Sequence, residues 1–115
     1  ETTGEELTPL AHSSSRRVFS AQTAEKLQEL LAGVVAEGTG RQAAPSEGTA
    51  AGKTGTAQTG QFRDGEGLEN HWFAGFYPAE KPRWTIVVMQ DAQTEPEVSS
   101  AAVFARLCDA LSAGE

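Results

Sequence analysis

Ala51-Gly52-Lys53-Thr54-Gly55-Thr56-Ala57-Gln58 is the stretch on which the fold of this 115-residue chain turns. Its residues are small and polar, so its own propensity for strand is poor. Three readings of Lys53 compete. In the first, Gly52-Lys53-Thr54 ends a phosphate-binding loop, but that motif needs four residues between its glycine and the Gly-Lys pair. Here only Thr49, Ala50 and Ala51 separate Gly48 from Gly52, and Gly55, Gly60 and Gly65 follow where a helix should begin. In the second, Lys53 is a surface lysine in a Gly/Thr-rich turn. The third depends on what flanks the tetrad Lys53-Thr54-Gly55-Thr56.

Upstream, Ala24, Leu27, Leu30, Leu31, Val34 and Val35 recur at helical spacing. Ser20 is a candidate N-cap and Gly38 a candidate stop, so the pattern predicts a helix over 21–37. Glu1 to Ser20 reads as a connecting arm. Arg41 to Gly48, with Pro45 inside it, reads as loop. Downstream, Thr59 to Glu69 holds three glycines and mixed charges, which predicts a mobile loop. His71 to Tyr77 is aromatic and stops at Pro78. Trp84 to Met89 is apolar on both faces, which predicts a strand covered on both sides. The Pro78–Arg83 link suits a hairpin, making the two strands antiparallel neighbours. Thr94-Glu95-Pro96-Glu97 resembles a capping box and predicts a helix over 96–112, with Val98, Ala101, Ala102, Ala105, Cys108 and Leu111 along one side.

Composition removes several function classes. Sixteen acidic residues against nine basic ones leave a net charge of -7. Phosphate backbones want clustered Lys and Arg, so a nucleic-acid partner is disfavoured. No apolar stretch approaches the roughly 20 residues that cross a bilayer, and the amino end lacks a signal-peptide pattern, so any membrane anchor is expected outside this chain. Cys108 is the sole cysteine, so no internal disulfide forms. His12 and His71 lie far apart, and no metal-site spacing is present. No cofactor is implied.

The flanks make the third reading specific. Val34-Val35-Ala36-Glu37-Gly38-Thr39-Gly40 resembles the helix end and Gly-Thr-Gly turn that precede the K-T-G strand of penicillin-binding proteins. Ala51 to Gln58 is similar to the K-T-G motif with its flanks. Trp72-Phe73-Ala74-Gly75-Phe76-Tyr77-Pro78 and Trp84-Thr85-Ile86-Val87-Val88 resemble the two strands that follow. Order and spacing agree over about residues 16–113, and the best match is the transpeptidase domain of class B, monofunctional enzymes of peptidoglycan synthesis. The resemblance implies an α+β fold: helix 21–37, a three-stranded antiparallel meander (about 50–58, 70–77 and 84–90) and helix 96–112. It is a partial transpeptidase-like fold lacking its N-terminal half.

The resemblance also assigns roles. Lys53 supplies a positive field, and Thr54 and Thr56 hydroxyls, for a substrate carboxylate. The backbone N–H of Thr56 is one oxyanion donor. Gly55 lets a substrate strand approach closely. The implied ligands are D-Ala-D-Ala stem peptides and β-lactams, at the extracytoplasmic face of a bacterial envelope.

Two companion motifs are missing. Three residues before Lys26, Lys53 and Lys81 stand Thr23, Ala50 and Pro78, so no Ser-x-x-K exists. Two residues before Asn70, the only asparagine, stands Leu68, so no Ser-x-Asn exists either. A serine without a base is a poor nucleophile, and the chain alone is expected to be inactive. The strand at 84–90 is expected to pair with the missing N-terminal part or with a second copy. A non-catalytic binding module on the same wall, and a fragment of a β-lactamase or β-lactam sensor, stay open as alternatives.

Other residues carry milder expectations. Thr39 reads as a helix-stop residue, and Trp72 and Phe73 as groove lining and core. Cys108 reads as a small core residue, and His71 as a solvated or satisfied histidine. Arg63 and Asp64 are placed in contact with substrate or solvent.

Overall fold

The computed structural model describes residues 14–114. Most of the connecting arm assigned to residues 1–20 lies outside the described residues. Helix α1 spans Ala21–Ala36, strands β1, β2 and β3 span Ala51–Arg63, Glu66–Tyr77 and Trp84–Gln93, and helix α2 spans Ser100–Ala113. The sheet has three strands in the order β1-β2-β3, both pairs antiparallel. This is an α+β arrangement.

Both helices lie on one face of the sheet, and strand alternation decides which side chains meet them. On β2, Phe73, Gly75 and Tyr77 point to the helices and are buried, whereas Trp72 and Ala74 point away and are exposed. Phe73 and Phe104 of α2 are fully buried, with ring centroids 4.7 Å apart. Val35 of α1, Ala101 and Cys108 of α2, and the half-buried Trp84, Ile86 and Val88 of β3 complete this core. Two glycines make the close approach possible. Gly52 and Gly75 are cross-strand partners. A Cβ on Gly52 would come within 2.6 Å of the Ala74 carbonyl oxygen and the Phe73 ring. A Cβ on Gly75 would come within 2.5 Å of the Ala51 carbonyl oxygen and 2.9 Å of the Phe104 ring.

Helix α1 starts where Ser20 accepts a hydrogen bond from the Thr23 backbone N–H, and the Gly38 and Gly40 N–H groups close its end on the Val34 carbonyl. Its apolar stripe is only partly covered: Val35 is buried, while Leu27 and Leu30 are exposed. The link between β2 and β3 contains a cis Tyr77–Pro78 bond and closes with an Arg83 N–H to Tyr77 carbonyl bond of 3.0 Å. Ser46 binds Asp109 through its N–H at 2.7 Å and its hydroxyl at 3.0 Å, tying the loop before β1 to α2.

Three expectations need correction. The residues 59–69 form no open loop: β1 runs on past 58 to Arg63, β2 begins at Glu66 rather than 70, and Asp64 and Gly65 make a two-residue turn. Both take positive φ, 53° and 84°, as a type I′ hairpin turn requires. The pairing slips between Gln58 and Phe62, with Gly60 at φ 74°, so the far end is a bulged two-stranded ribbon. Helix α2 begins at Ser100, not at 96, because the Ser99 hydroxyl, rather than Thr94, accepts from the first turn at the Ala102 N–H. Strand β3 runs to 93 rather than 90, and it is covered on one face only. Val87 and Met89 are 58% and 45% exposed on the other, so the apolar character of that face is not used within the described residues.

Candidate functional site

The tetrad lies on β1, an outer strand of the sheet, so one side of its backbone pairs with β2 and no other strand of the described residues flanks the opposite side. Such an edge presents backbone N–H and C=O groups in a row and is a template for an added strand. Lys53 pairs with Ala74, Thr54 with Phe73, Gly55 with Trp72 and Thr56 with His71. Alternation therefore sends Lys53 and Gly55 to the open face of the sheet and Thr54 and Thr56 to the helix side. Lys53, Gly55 and Thr56 are exposed and Thr54 is half-buried.

The Lys53 ammonium lies 3.0 Å from the Thr54 hydroxyl and 3.1 Å from the Thr54 carbonyl oxygen. Positive charge and hydroxyl thus sit together at the strand edge, a pairing suited to an oxyanion. Gly55 is open: an added Cβ would meet only the Trp72 Cβ, at an ordinary 3.6 Å. Nothing in the chain's own packing demands glycine there. Gly52, three residues earlier on the same strand, is sterically required.

Five of the seven serines among the described residues are engaged elsewhere, and the other two, Ser14 and Ser15, are exposed ahead of α1. Ser20 caps α1, Ser46 binds Asp109, Ser99 caps α2, Ser100 binds the His71 carbonyl and Gln90, and Ser112 shares a 2.6 Å hydrogen bond with Tyr77. Among the described residues no lysine bonds a serine. Cys108 is fully buried, and burial first, then the neighbouring Asp109 charge, push its thiol pKa up to about 11. A thiol in that state is inert at neutral pH. Arg63 and Asp64 sit at the hairpin tip. Among the described residues no group of three or more His, Cys, Asp or Glu side chains could hold a metal ion, and no helix is long and apolar enough to cross a membrane.

The expectation of a solvated or satisfied histidine at His71 needs correction. His71 is the cross-strand partner of Thr56, and its Nε2 is buried without a hydrogen-bond partner. The only available signal was its distance from the tetrad in a hairpin whose true register was hidden by the unrecognised Asp64-Gly65 turn.

A family model described as the penicillin binding protein transpeptidase domain matches residues 8–109. Among curated relatives, the chain is 41% identical over 81 residues to the stage V sporulation protein D of Bacillus subtilis, covering 68% of this chain and 12% of the relative. It is 40% identical over 90 residues to the penicillin-binding protein PbpB of Mycolicibacterium smegmatis, covering 66% of this chain and 13% of the relative. Among solved structures, the apo transpeptidase domain of penicillin-binding protein 3 from Burkholderia pseudomallei superposes with a TM-score of 0.73 at 31% identity, over 89% of this chain and 33% of that one. The D,D-transpeptidase domain of an Eggerthella lenta peptidoglycan glycosyltransferase gives 0.61 at 33% identity, over 81% and 21%. The chain thus spans about an eighth of the length of these curated relatives. The family match covers most of the chain and the relatives agree with it in sequence and in shape, so the chain belongs to the penicillin-binding-protein transpeptidase family, as a C-terminal part of a class B transpeptidase domain.

Proposed function

We propose that this chain supplies one wall of a serine D,D-transpeptidase site, which cross-links peptidoglycan stem peptides by acyl transfer and is acylated by β-lactams. The observation that carries the reading is the placement of the tetrad on an exposed outer strand, with Lys53 beside the Thr54 hydroxyl and an open Gly55. A D-Ala-D-Ala terminus lies along β1 as an added strand. Lys53 attracts its carboxylate and the Thr54 and Thr56 hydroxyls bind it. Gly55 admits the substrate backbone. The Thr56 N–H points at the oxygen that turns negative in the tetrahedral intermediate. One such donor is worth roughly 3–4 kcal/mol of transition-state stabilisation.

The serine nucleophile and its base lie outside these 115 residues. The structural engagement of Ser20, Ser46, Ser99, Ser100 and Ser112 supports this. The outer position of β3 supports a partner strand along its edge, the remaining part of the domain or a second copy, and the exposed Val87 and Met89 support a cover on its open face. The site belongs at the extracytoplasmic face of a bacterial envelope.

Intact mass after incubation with a reactive penicillin tests the reading. An adduct is expected on the protein with its upstream region restored and none on the 115-residue chain. An adduct on the chain itself would place an activated serine within it. No adduct on either protein favours a non-catalytic module built on the same wall.

A further inference from the structure

Beneath the tetrad, the helix side of the sheet changes character. One row reads Thr54, Phe73, Val88, and it packs on Phe104. The next row towards the ribbon is polar throughout: Thr56 opposite His71, and His71 opposite Gln90. Ser100, in the first turn of α2, closes it. Its hydroxyl lies 2.9 Å from the His71 carbonyl oxygen and 2.7 Å from Gln90 Oε1, and Ser100 is 4% exposed. The Gln90 amide in turn donates to the Val98 carbonyl at 2.8 Å, just ahead of the helix. The strand segment carrying His71 is therefore held by the start of α2. Within this satisfied network one atom stands out, His71 Nε2, which is buried and has no partner. Buried polar atoms are paired in the great majority of cases, so an orphan calls for an explanation.

We propose that His71 is a positioning residue for Thr56, its imidazole N–H donating to the Thr56 hydroxyl oxygen when a carboxylate occupies the site. The inference rests on the transpeptidase reading above. Directly opposed residues of an antiparallel pair share a face, with Cβ atoms about 4.5–5.5 Å apart. That spacing puts the Thr56 hydroxyl within reach of the ring. A threonine hydroxyl carries one proton and two lone pairs. A ring N–H pointing into a lone pair leaves the proton for the ligand, and the hydroxyl meets the carboxylate as a donor without first turning. His71 touches no substrate. It acts through Thr56, and its backbone carbonyl is held by Ser100.

A double-substitution cycle on the protein with its upstream region restored separates this role from a structural one, with the second-order rate of penicillin acylation as the readout. His71→Phe is expected to slow acylation about tenfold, the size of one hydrogen bond to a polar partner. His71→Gln, which keeps an N–H at similar reach, is expected to stay within about threefold of the parent, whereas the shorter His71→Asn falls with Phe. In a Thr56→Val background, which keeps the backbone N–H but lacks the hydroxyl, His71→Phe is expected to change the rate less than about twofold. Equal losses with and without the Thr56 hydroxyl, or no loss in either, overturn the proposal. If His71→Phe does not fold, the Gln-to-Asn comparison decides the same point, and equal rates for those two overturn it. A parent protein that is never acylated refutes the transpeptidase reading itself, and this inference with it. An acylated parent with unaffected variants refutes the inference alone.

Discussion

Gly55 and Gly75 lie on neighbouring strands, yet the same substitution should move them in opposite directions. At Gly75 an alanine Cβ would sit 2.5 Å from the Ala51 carbonyl oxygen and 2.9–3.0 Å from the Phe104 ring. The oxygen belongs to the paired backbone and cannot turn aside, and Phe104 is fully buried. Overpacking of this kind costs about 1–3 kcal/mol. For a domain of this size that corresponds to a fall in Tm of roughly 5–15 °C. At Gly55 the only neighbour is the Trp72 Cβ at 3.6 Å, and the backbone is not in the positive-φ region. Alanine there removes freedom from the unfolded chain and should stabilise by about 0.4–1 kcal/mol. Function should invert the order. A methyl group on Gly55 stands where the ligand strand approaches, so Gly55→Ala should lose penicillin acylation by at least about tenfold while remaining folded. Thermal unfolding followed by far-UV circular dichroism gives the first quantity, and acylation of the protein with its upstream region restored gives the second. A Gly55→Ala protein as unstable as Gly75→Ala would refute the reasoning, since Gly55 would then be a packing glycine. So would a stable Gly55→Ala protein acylated at the parental rate.

Lys53→Ala should slow acylation by about 10- to 100-fold, the range for a hydrogen bond to a charged group, with little change in Tm because Lys53 is exposed and bonds only Thr54. Gly65→Val should destabilise the β1–β2 hairpin by about 1 kcal/mol or more, read from thermal unfolding, because a β-branched residue is strained at φ 84°. Cys108 should resist a thiol-modifying reagent at pH 7–8 until the protein is unfolded. Its folded pKa of about 11 lies above the ordinary 9.0, so its contribution to stability is complete below pH 9 and is lost as pH rises from there through 11. A urea midpoint that falls across that window, and falls less in Cys108→Ala, checks the sign. Val87→Asp should leave Tm of the 115-residue chain within about 2 °C, since surface changes are usually small, yet prevent it from joining the rest of the domain in a co-expression pull-down.

The elements that were legible in sequence are those whose pattern reports a covered face. The stripe that ends in Val34 and Val35 marks α1, and the aromatic run His71–Tyr77 marks β2. The misplacements share a cause: local signals compete, and packing chooses between them. Thr94 and Ser99 both offer a capping hydroxyl, and Ser99 prevails where α2 can lay Ala101, Phe104 and Cys108 on the sheet. Three glycines in eight residues read as a loop, although Asp64-Gly65 alone was a hairpin turn and Gly60 a bulge. The apolar outer face of β3 reads as a covered face, yet among the described residues nothing covers it. At the site, the tetrad's placement on a strand could be read from the sequence because it is written in one contiguous segment. The pairing of His71 with Thr56 could not, because it lies in a register that fourteen intervening residues conceal.

The ribbon beyond Gln58 gives the hairpin two mechanical regimes. Its root, Ala51–Ala57 against Asn70–Phe76, rests on Phe73, Phe104 and the two helices. Its far end, with Phe62 73% exposed, is held by its own ladder, the Asp64-Gly65 turn, a 2.7 Å bond from the Thr59 hydroxyl to the Leu68 carbonyl and the buried Leu68 side chain. Two strands alone are marginal in water. Amide hydrogen exchange should therefore divide β1 within a single strand, fast from Gly60 outward and slow, between Lys53 and Ala57, at those N–H groups that pair with β2. The bulge acts as a fuse: the tip can open and close many times while the tetrad, a few residues away, keeps its geometry.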